Sequence, residues 1–206
     1  IGKTKKPVIM SRGMATEEEI RLAIKTLKKS GCPSIALLHC VTSYPTLPED
    51  ASLRRIPKII ERFPNLTIGY SDHTDGIFAP ICAIALGAQI IEKHFTLDKN
   101  LSAFRDHQLS ATPAEMTQMV SGIRLAEKML LETNGTCSAE QQTLPLVRRS
   151  IRAKRDLKRG ERIKIEDLKW VRPGGGLAPG DESKILGKTL TKDLPNDSLI
   201  DIGDLN

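Results

Sequence analysis

The chain has 206 residues, of which 39% are hydrophobic, 27% charged and 3% aromatic, and its formal net charge is +6. This length suits one large domain or a medium and a small one, and no apolar run approaches the ~20 residues of a membrane helix, so we expect no membrane partner. The scarcity of aromatic side chains argues against a nucleic-acid partner, so the basic stretch 148–164 favours a solvated face or the attraction of a small anion.

A repeating pattern of an apolar run followed by a helical segment fills residues 7–131. The apolar runs predict strands at 7–11, 34–40, 66–71 and 88–95. The segments between and after them predict helices at 16–31, 51–63, 76–87 and 112–130. The strands are continuously apolar, which is typical of a parallel sheet covered on both faces. We therefore predict an α/β domain over residues 1–131 with four strand–helix units.

The pattern changes after residue 131. The segment 132–147 is polar and rich in turn-forming residues, which predicts a linker. From 148 to 206, short alternating runs are separated by turns. This pattern predicts a compact, β-rich second domain.

Polar side chains stand where the predicted strands end. His39, Ser71, His73 and His94 lie at or just beyond strand C-termini, the edge where parallel α/β folds form their ligand sites. Neighbouring parallel strands lie about 4.8 Å apart, so His73 and His94 can converge on one ion. Two imidazoles with further positions open suit a divalent metal. Each histidine taken alone is equally compatible with an ordinary surface or hydrogen-bonded role.

Several acidic residues near these positions have simpler alternatives. Asp72 and Asp75 are either ligand groups or solvated residues that cap the following helix, and we favour the second role for Asp75. Glu92 either faces the interior of a barrel or pairs with Lys93. Asp106 and His107 lie in a predicted loop, 104–113, and either reach a ligand at the strand ends or serve as capping or turn residues.

The four cysteines carry no paired spacing. Cys32, Cys40, Cys82 and Cys137 form no CxxC motif, which argues against a zinc cluster. We expect free thiols in a reducing compartment and therefore a cytoplasmic protein.

Ordered motifs along the chain resemble the sialic acid synthase family, which includes N-acetylneuraminate, legionaminate, pseudaminate and spore coat polysaccharide synthases. The motifs are KKPVIMSRGMATEEEI, LLHCVTSYPT, IGYSDHTDG, LGAQIIEKHFTLDKN and RDHQLSATPAEM. RRSIRAKRDLKRGERIKIEDLKWVRPGGG is similar to the antifreeze-like (SAF) domain of those enzymes. The resemblance implies the C-terminal half of a TIM-type (β/α)8 barrel followed by a small SAF domain.

The resemblance also implies a chemistry. It is a carbon–carbon bond-forming transferase reaction that condenses phosphoenolpyruvate with N-acetylmannosamine or a related N-acetylated amino sugar. Phosphate leaves, and a nine-carbon 2-keto acid forms for surface polysaccharides. A homodimer with the SAF domain acting in trans is implied as well. Another phosphoenolpyruvate-dependent barrel aldolase, or a non-catalytic carbohydrate-binding fragment, are the alternatives.

Site residues follow from the matching motifs. His73 and His94 would bind the metal, Mn²⁺ or alternatively Mg²⁺ or Co²⁺, and together with Asp106 would form the catalytic set. The substrate-binding set implied by the family comprises Ser11 and Ser71 for phosphoenolpyruvate, Thr42 and Tyr44 beside it, and Asp106 and Arg172 for the sugar.

The chain departs from the family pattern in four places. Arg12 stands where many members have Thr in an S-T-G-M motif, and Thr42 where many have Asn. The loop LSAFRD before His107 is longer than usual, which leaves the identity of the sugar open. The family barrel has eight units, and its N-terminal half carries a glutamate and phosphate-binding lysines. We therefore expect an incomplete part of the enzyme that is inactive by itself.

Overall fold

A computed structural model of the chain describes residues 1–132, 135 and 137–206. The chain divides into two compact units, Ile1–Leu131 and Glu132–Asn206. Each unit has its own cluster of buried hydrophobic side chains. None of the helices within the described ranges is long and apolar enough to cross a membrane.

The first unit is a four-stranded parallel sheet with the strand order β1-β2-β3-β4. Its strands are β1 Val8–Ser11, β2 Ile35–Cys40, β3 Thr67–Asp72 and β4 Ile90–Lys93. Its α-helices are α1 Glu17–Lys29, α2 Arg55–Arg62, α3 Phe78–Ala85, α4 Arg105–Leu109 and α5 Pro113–Met129. Two 3-10 turns cover Gly2–Thr4 and Pro48–Asp50. All four predicted strand–helix units are present, and α4 is a short helix inside the predicted loop 104–113.

Local caps determine where two of the helices begin. The Thr16 hydroxyl accepts a hydrogen bond from the Glu19 amide at 3.3 Å, and the Glu19 carboxylate accepts one from the Thr16 amide at 2.7 Å. Thr112 and Glu115 form the same capping box at the start of α5. Each box satisfies amide groups that the first helical turn leaves without partners.

The two faces of the sheet carry different residues. Strand register pairs Cys40 with Ser71 and Ser71 with Glu92, so these side chains share one face, which we call the site face. The opposite face, which we call the helix face, buries Leu37 and Tyr70 against the helices. The other members of the buried helix-face cluster are Ile20, Ile56, Ile59, Ile68, Ala83 and Ala88.

The site face is open to solvent near β1. Ile9 and Ser11 project from β1, and Ile9 is 62% exposed. Within the described ranges, β1 pairs only with β2 and β4 pairs only with β3. Both edge strands therefore keep unpaired backbone groups that another strand could bind.

The second unit contains α6 Ser138–Val147, β5 Ser150–Ala153 and β6 Leu168–Val171. β5 and β6 form an antiparallel ribbon, and 3-10 turns cover Ile165–Asp167, Glu182–Lys184 and Ile202–Asp204. Its buried core consists of aliphatic side chains: Ile151, Ala153, Leu157, Ile163, Leu168, Ile185, Leu190, Leu194 and Ile200.

Helix α6 differs from the turn-rich linker predicted over 132–147. The Glu140 carboxylate accepts a hydrogen bond from the Cys137 amide at 3.0 Å and so caps the helix. Near its other end, the Pro145 carbonyl accepts a hydrogen bond from the Gly174 amide at 2.7 Å. The helix buries none of its residues, and a helix that packs on no core needs no apolar stripe. The sequence therefore lacks the pattern by which helices are recognised. The linker residues 133, 134 and 136 lie outside the described ranges.

A candidate active site at the carboxyl edge of the parallel sheet

His73 and His94 meet where β3 and β4 end. Asp72 and Lys93, the last residues of these strands, are paired in register, so the histidines occupy the next matching positions. Their ring centroids lie 5.2 Å apart, with the ring planes at 77°. The structure thus brings together the two histidines that the sequence places at adjacent strand ends. Their role as metal ligands stays a prediction.

A backbone carbonyl orients the buried ring of His73. Its Nδ1 lies 2.8 Å from the Val41 carbonyl oxygen, which can only accept a hydrogen bond, so Nδ1 carries the proton. The Nε2 lone pair is then available to an ion or a donor. The Cys40 sulfur lies 4.0 Å from the same Nδ1, and burial raises the pKa of the Cys40 thiol. Cys40 is therefore a neutral neighbour of His73.

Tyr44 holds the two imidazoles from one side. Its ring stacks on His73 at a centroid distance of 4.0 Å and meets His94 edge-on at 5.9 Å. The Arg105 guanidinium also lies over the Tyr44 ring, with Cζ 4.9 Å from the ring centre. Burial, followed by the neighbouring Cys40 and Asp106, raises the pKa of Tyr44. Tyr44 therefore remains a neutral phenol that can donate a hydrogen bond.

Asp106, on α4, faces the same cluster. Its Oδ2 lies 3.8 Å from His94 Nδ1, and its Oδ1 lies 3.9 Å from Arg105 Nε. Both distances exceed an ordinary hydrogen bond. The carboxylate is about one-third exposed and so keeps capacity to accept a hydrogen bond from a bound hydroxyl group.

Ser71 and Glu92 form the next layer of the site face. The Ser71 hydroxyl donates a hydrogen bond to Glu92 Oε2 at 2.5 Å. Of the two roles considered for Glu92, pairing with Lys93 is wrong, because Lys93 pairs with Asp72 and Glu92 lies on the open site face. Ser71 is buried, whereas Glu92 is exposed.

Asp72 and Lys93 form a buried ion pair on the helix face. Lys93 Nζ lies 2.7 Å from Asp72 Oδ2, and both side chains are fully buried. Asp72 also accepts hydrogen bonds from the Tyr70 hydroxyl and the Thr74 amide, each at 2.9 Å. Lys93 donates a second hydrogen bond to the Thr74 carbonyl at 2.8 Å. Asp72 is therefore neither solvated nor a ligand group; it ties together the strand ends that carry the two histidines.

Asp75 is solvated, as the simpler role has it, but it does not cap α3, whose N-cap residue is Ile77. Its Oδ1 accepts a hydrogen bond from the Gly76 amide at 2.9 Å, and 76% of its side chain is exposed. It lies 3.7 Å from Lys99 Nζ, outside the histidine cluster. Asp75 serves the turn before α3.

Other candidates from the sequence lie apart from the histidine cluster. His39 lies on the helix face, where its Nε2 is 2.9 Å from the Ala51 carbonyl, so this strand-end histidine does not belong to the site. Ser11 ends β1 on the site face, and Thr42 is exposed beside Gly13. In the described part of the chain, neither Ser11 nor Thr42 has a side-chain hydrogen bond to the cluster. Arg172 is exposed in the second unit, directly after β6.

The donor set fits a metal ion in part. His73 offers Nε2, and the His94 ring lies beside it. Across residues 1–132, 135 and 137–206, no three His, Cys, Asp or Glu side chains are arranged to hold an ion. Further ligands would have to come from water, from a substrate or from another polypeptide segment.

Sequence reasoning missed three contributors to the site. They are the Val41 carbonyl, the Cys40 sulfur and the Arg105 guanidinium. A backbone carbonyl leaves no signal in a sequence. Arg105 and Cys40 could have been found as direct neighbours of Asp106 and His39 in two of the quoted motifs.

The fold and the site together define a class of protein. This is an α/β protein whose polar residues converge at the carboxyl edge of a parallel sheet, followed by a small β-rich unit. The chain belongs to the NeuB family, whose sequence profile matches residues 1–134. Residues 148–206 match the SAF domain. The family resemblance predicted from the motifs is thereby confirmed.

Named relatives and solved structures share both parts of the chain. An N,N'-diacetyllegionaminic acid synthase of Legionella pneumophila is 43% identical over 197 residues, which cover 92% of this chain and 54% of the relative. A pseudaminic acid synthase of Campylobacter jejuni is 39% identical over 206 residues, covering 99% and 59%. A putative spore coat polysaccharide biosynthesis protein E of Chromobacterium violaceum superimposes with a TM-score of 0.72 at 26% identity, covering 100% and 62%. The chain thus spans between half and two-thirds of these relatives.

Proposed function

We propose that the protein carrying this chain condenses phosphoenolpyruvate with N-acetylmannosamine or a related N-acetylated amino sugar. The reaction releases phosphate and forms a nine-carbon 2-keto acid for surface polysaccharide biosynthesis. The observation that carries this proposal is the convergence of His73, His94, Tyr44 and Asp106 at one sheet edge in a NeuB-family chain. The synthase names of the relatives support the reaction class.

The four strand–helix units form, in this proposal, the C-terminal half of a TIM-type barrel. The sequential order of parallel strands and the site at their carboxyl edge support it. Additional strands would pair with the free edges of β1 and β4, and the site face would become the barrel interior. Ser71 and Glu92 would then line the closed site.

The residues of this chain would position both substrates. Ser11 and Ser71 would donate hydrogen bonds to phosphoenolpyruvate, for which the Ser71 hydroxyl would turn away from Glu92. Asp106 would accept a hydrogen bond from a sugar hydroxyl, and Tyr44 would donate one as a neutral phenol. Holding two reactants in one orientation removes much of the entropic barrier of a bimolecular reaction.

His73 and His94 would hold a divalent metal, which we propose to be Mn²⁺, with Mg²⁺ or Co²⁺ as alternatives. Such an ion supplies Lewis-acid polarisation of a carbonyl oxygen when it is bound. The hydrogen bond from His73 Nδ1 to Val41 fixes the tautomer that leaves Nε2 unprotonated. The buried Asp72–Lys93 pair holds the strand ends that carry both rings.

Metal content and phosphate release test this proposal together. In the complete protein, a His73→Ala/His94→Ala variant should lose its bound metal and at least about 100-fold of its rate of phosphate release. His107→Ala is the matched control, because His107 bonds to Thr96 at 2.9 Å rather than to the cluster. Unchanged metal content in the double variant would show that the two histidines do not bind the ion.

We also propose a homodimer in which Arg172 of the SAF domain reaches the sugar in its partner's barrel. Arg172 is exposed and precedes a run of three glycines, which allows close approach to another surface. Mixed dimers of Arg172→Ala and His73→Ala subunits should recover part of the activity that each variant lacks. Absence of recovery in verified heterodimers would place Arg172 in its own subunit's site.

The 206-residue chain assayed without additional segments should release no phosphate from phosphoenolpyruvate with N-acetylmannosamine and Mn²⁺. Its site face is open beside β1, and a displacement of about 1 Å can cost about 100-fold in rate. Turnover near ~1 per second, an ordinary enzyme rate, would show that this chain holds a complete active site.

A further inference from the structure

A cavity of about 330 Å³ lies on the helix face, between α1 and α2. Leu37 and Ile59, which belong to the buried helix-face cluster, form part of its wall. The histidine cluster lies on the other side of the sheet, with Ser71 and Glu92 beneath it. The cavity is therefore separate from the proposed active site, and no step of the proposed reaction uses it.

The lining of this cavity is strongly cationic. Arg12, Arg55, Lys58 and Arg62 face a single carboxylate, that of Glu17. Glu17 is already shared, because it pairs with Arg62 and, at 2.7 Å, with Arg21. Among the residues that the structure describes, Arg12, Arg55 and Lys58 have no ion-pair partner. The cavity thus holds an excess of positive charge that an anion would offset.

Arg12 shows most directly that a partner is missing. Its Nε is buried and has no hydrogen-bond partner in the described part of the chain. Burial, followed by Arg55 and Arg62, lowers the pKa of Arg12. A buried donor without a partner is costly. Its neighbour Ser11 projects onto the site face, so Arg12 plays no part in the contacts proposed for Ser11.

We propose that this cavity binds a phosphate oxyanion, either free phosphate or the phosphate group of a small metabolite. Arginine guanidinium groups form paired, charge-assisted hydrogen bonds to phosphate oxygens, and Arg12 and Arg55 would supply them. Lys58 and Arg62 would add charge. The volume suits a small ligand of this kind. This inference goes beyond the condensation proposed above and does not depend on it.

Calorimetric titration of the complete protein with inorganic phosphate tests the site. We expect saturable binding that Arg12→Gln weakens by at least about tenfold, which is the worth of one charged hydrogen bond. Arg54→Gln is the matched control, because Arg54 is an exposed neighbour of Arg55 outside the cavity lining, and it should change the affinity by less than about twofold. If both variants weaken phosphate binding equally, the binding is general electrostatic attraction rather than a defined site, and the proposal is overturned.

Two further variants separate this site from the active site and from misfolding. A Ser71→Ala/His73→Ala variant should bind phosphate as wild type does; loss of binding there would place the phosphate in the active site. If Arg12→Gln fails to fold, Arg55→Gln and Lys58→Gln replace it as tests, because they change exposed side chains. Each of them should weaken phosphate binding. Absence of saturable binding up to about 10 mM phosphate overturns the proposal.

A sugar phosphate distinguishes the two sources of the ligand. Glucosamine 6-phosphate that binds more tightly than inorganic phosphate, with the same dependence on Arg12, would identify a metabolite site. Equal affinities would identify a site for free phosphate. In both cases the phosphate group and the cationic lining carry the interaction.

Discussion

The two faces of β3 and β4 differ in the burial and the bonding partners of their polar residues. On the helix face, Asp72 and Lys93 are fully buried and linked at 2.7 Å, with further partners from Tyr70 and Thr74. On the site face, one residue earlier in each strand, Ser71 bonds to an exposed Glu92. Satisfied charges in the interior hold the strand ends, while groups on the open face retain capacity to bind ligands.

The largest effect should come from breaking the buried pair. Lys93→Met leaves the Asp72 carboxylate buried without its cation and should lower the free energy of unfolding by about 3–5 kcal/mol. Urea denaturation measures the change. Lys25→Met, at an exposed helical position, should stay within about 0.5 kcal/mol of wild type.

A second variant separates burial from attraction in this pair. Asp72→Asn/Lys93→Met removes both charges together and should recover much of the stability that Lys93→Met loses. If Lys93→Met unfolds at the wild-type urea concentration, the pair does not hold the strand ends, and the contrast between the faces is lost.

The matching change on the site face should cost less. Ser71→Ala removes the hydroxyl that bonds to Glu92, but water can replace it at an exposed carboxylate, so about 1 kcal/mol is expected. Under the proposed reaction, the same variant of the complete protein should also raise the KM for phosphoenolpyruvate. A loss of 3 kcal/mol or more would instead mark the Ser71–Glu92 contact as a structural anchor like the helix-face pair.

The ion pair of Lys99 and Glu115 is partly exposed, and breaking it should cost less stability than the changes above. Lys99 Nζ lies 2.8 Å from Glu115 Oε1, and this hydrogen bond, with the Thr112 amide, lowers the pKa of Glu115 from 4.5 to about 2. Because the unfolded chain takes up this proton first, the stabilisation is complete above pH 4.5 and is lost as the pH falls through about 2.

The variant Glu115→Gln keeps a side chain that can cap α5 and removes only the charge. It should lose about 0.5–1 kcal/mol at pH 7. The difference from wild type should shrink on acidification and be lost as the pH falls through about 2 in unfolding titrations. A difference that is constant over pH would assign the loss to capping rather than to Lys99.

The smallest effect should come from an exposed pair in the second unit. Lys158 and Asp193 lie 2.9 Å apart, with side chains 70% and 59% exposed. Lys158→Met should leave the free energy of unfolding close to the wild-type value, because solvent screens an exposed pair. Asp193→Ala should cost more, because the carboxylate also accepts a hydrogen bond from the Arg159 amide at 2.9 Å. If Lys158→Met costs more stability than Asp193→Ala, the ion pair contributes more to stability than the hydrogen bond to the Arg159 amide.

Local patterns made much of the first unit predictable. The continuous apolar runs identify the four strands, and the spacing of Thr16 and Glu19 matches the cap that starts α1. His73 and His94 could be placed at the carboxyl edge because each directly follows an apolar run. These features depend on residues a few positions apart, so the sequence by itself determines them.

Only the tertiary structure decided which groups face each other. Side chains alternate along a strand, so His39 lies on the helix face while Cys40, one residue on, lies beside His73. The strand register of β3 and β4 pairs Ser71 with Glu92 on one face and Asp72 with Lys93 on the other. The cavity beside Arg12 likewise arises from the packing of two helices, because its cations come from segments about 40 residues apart.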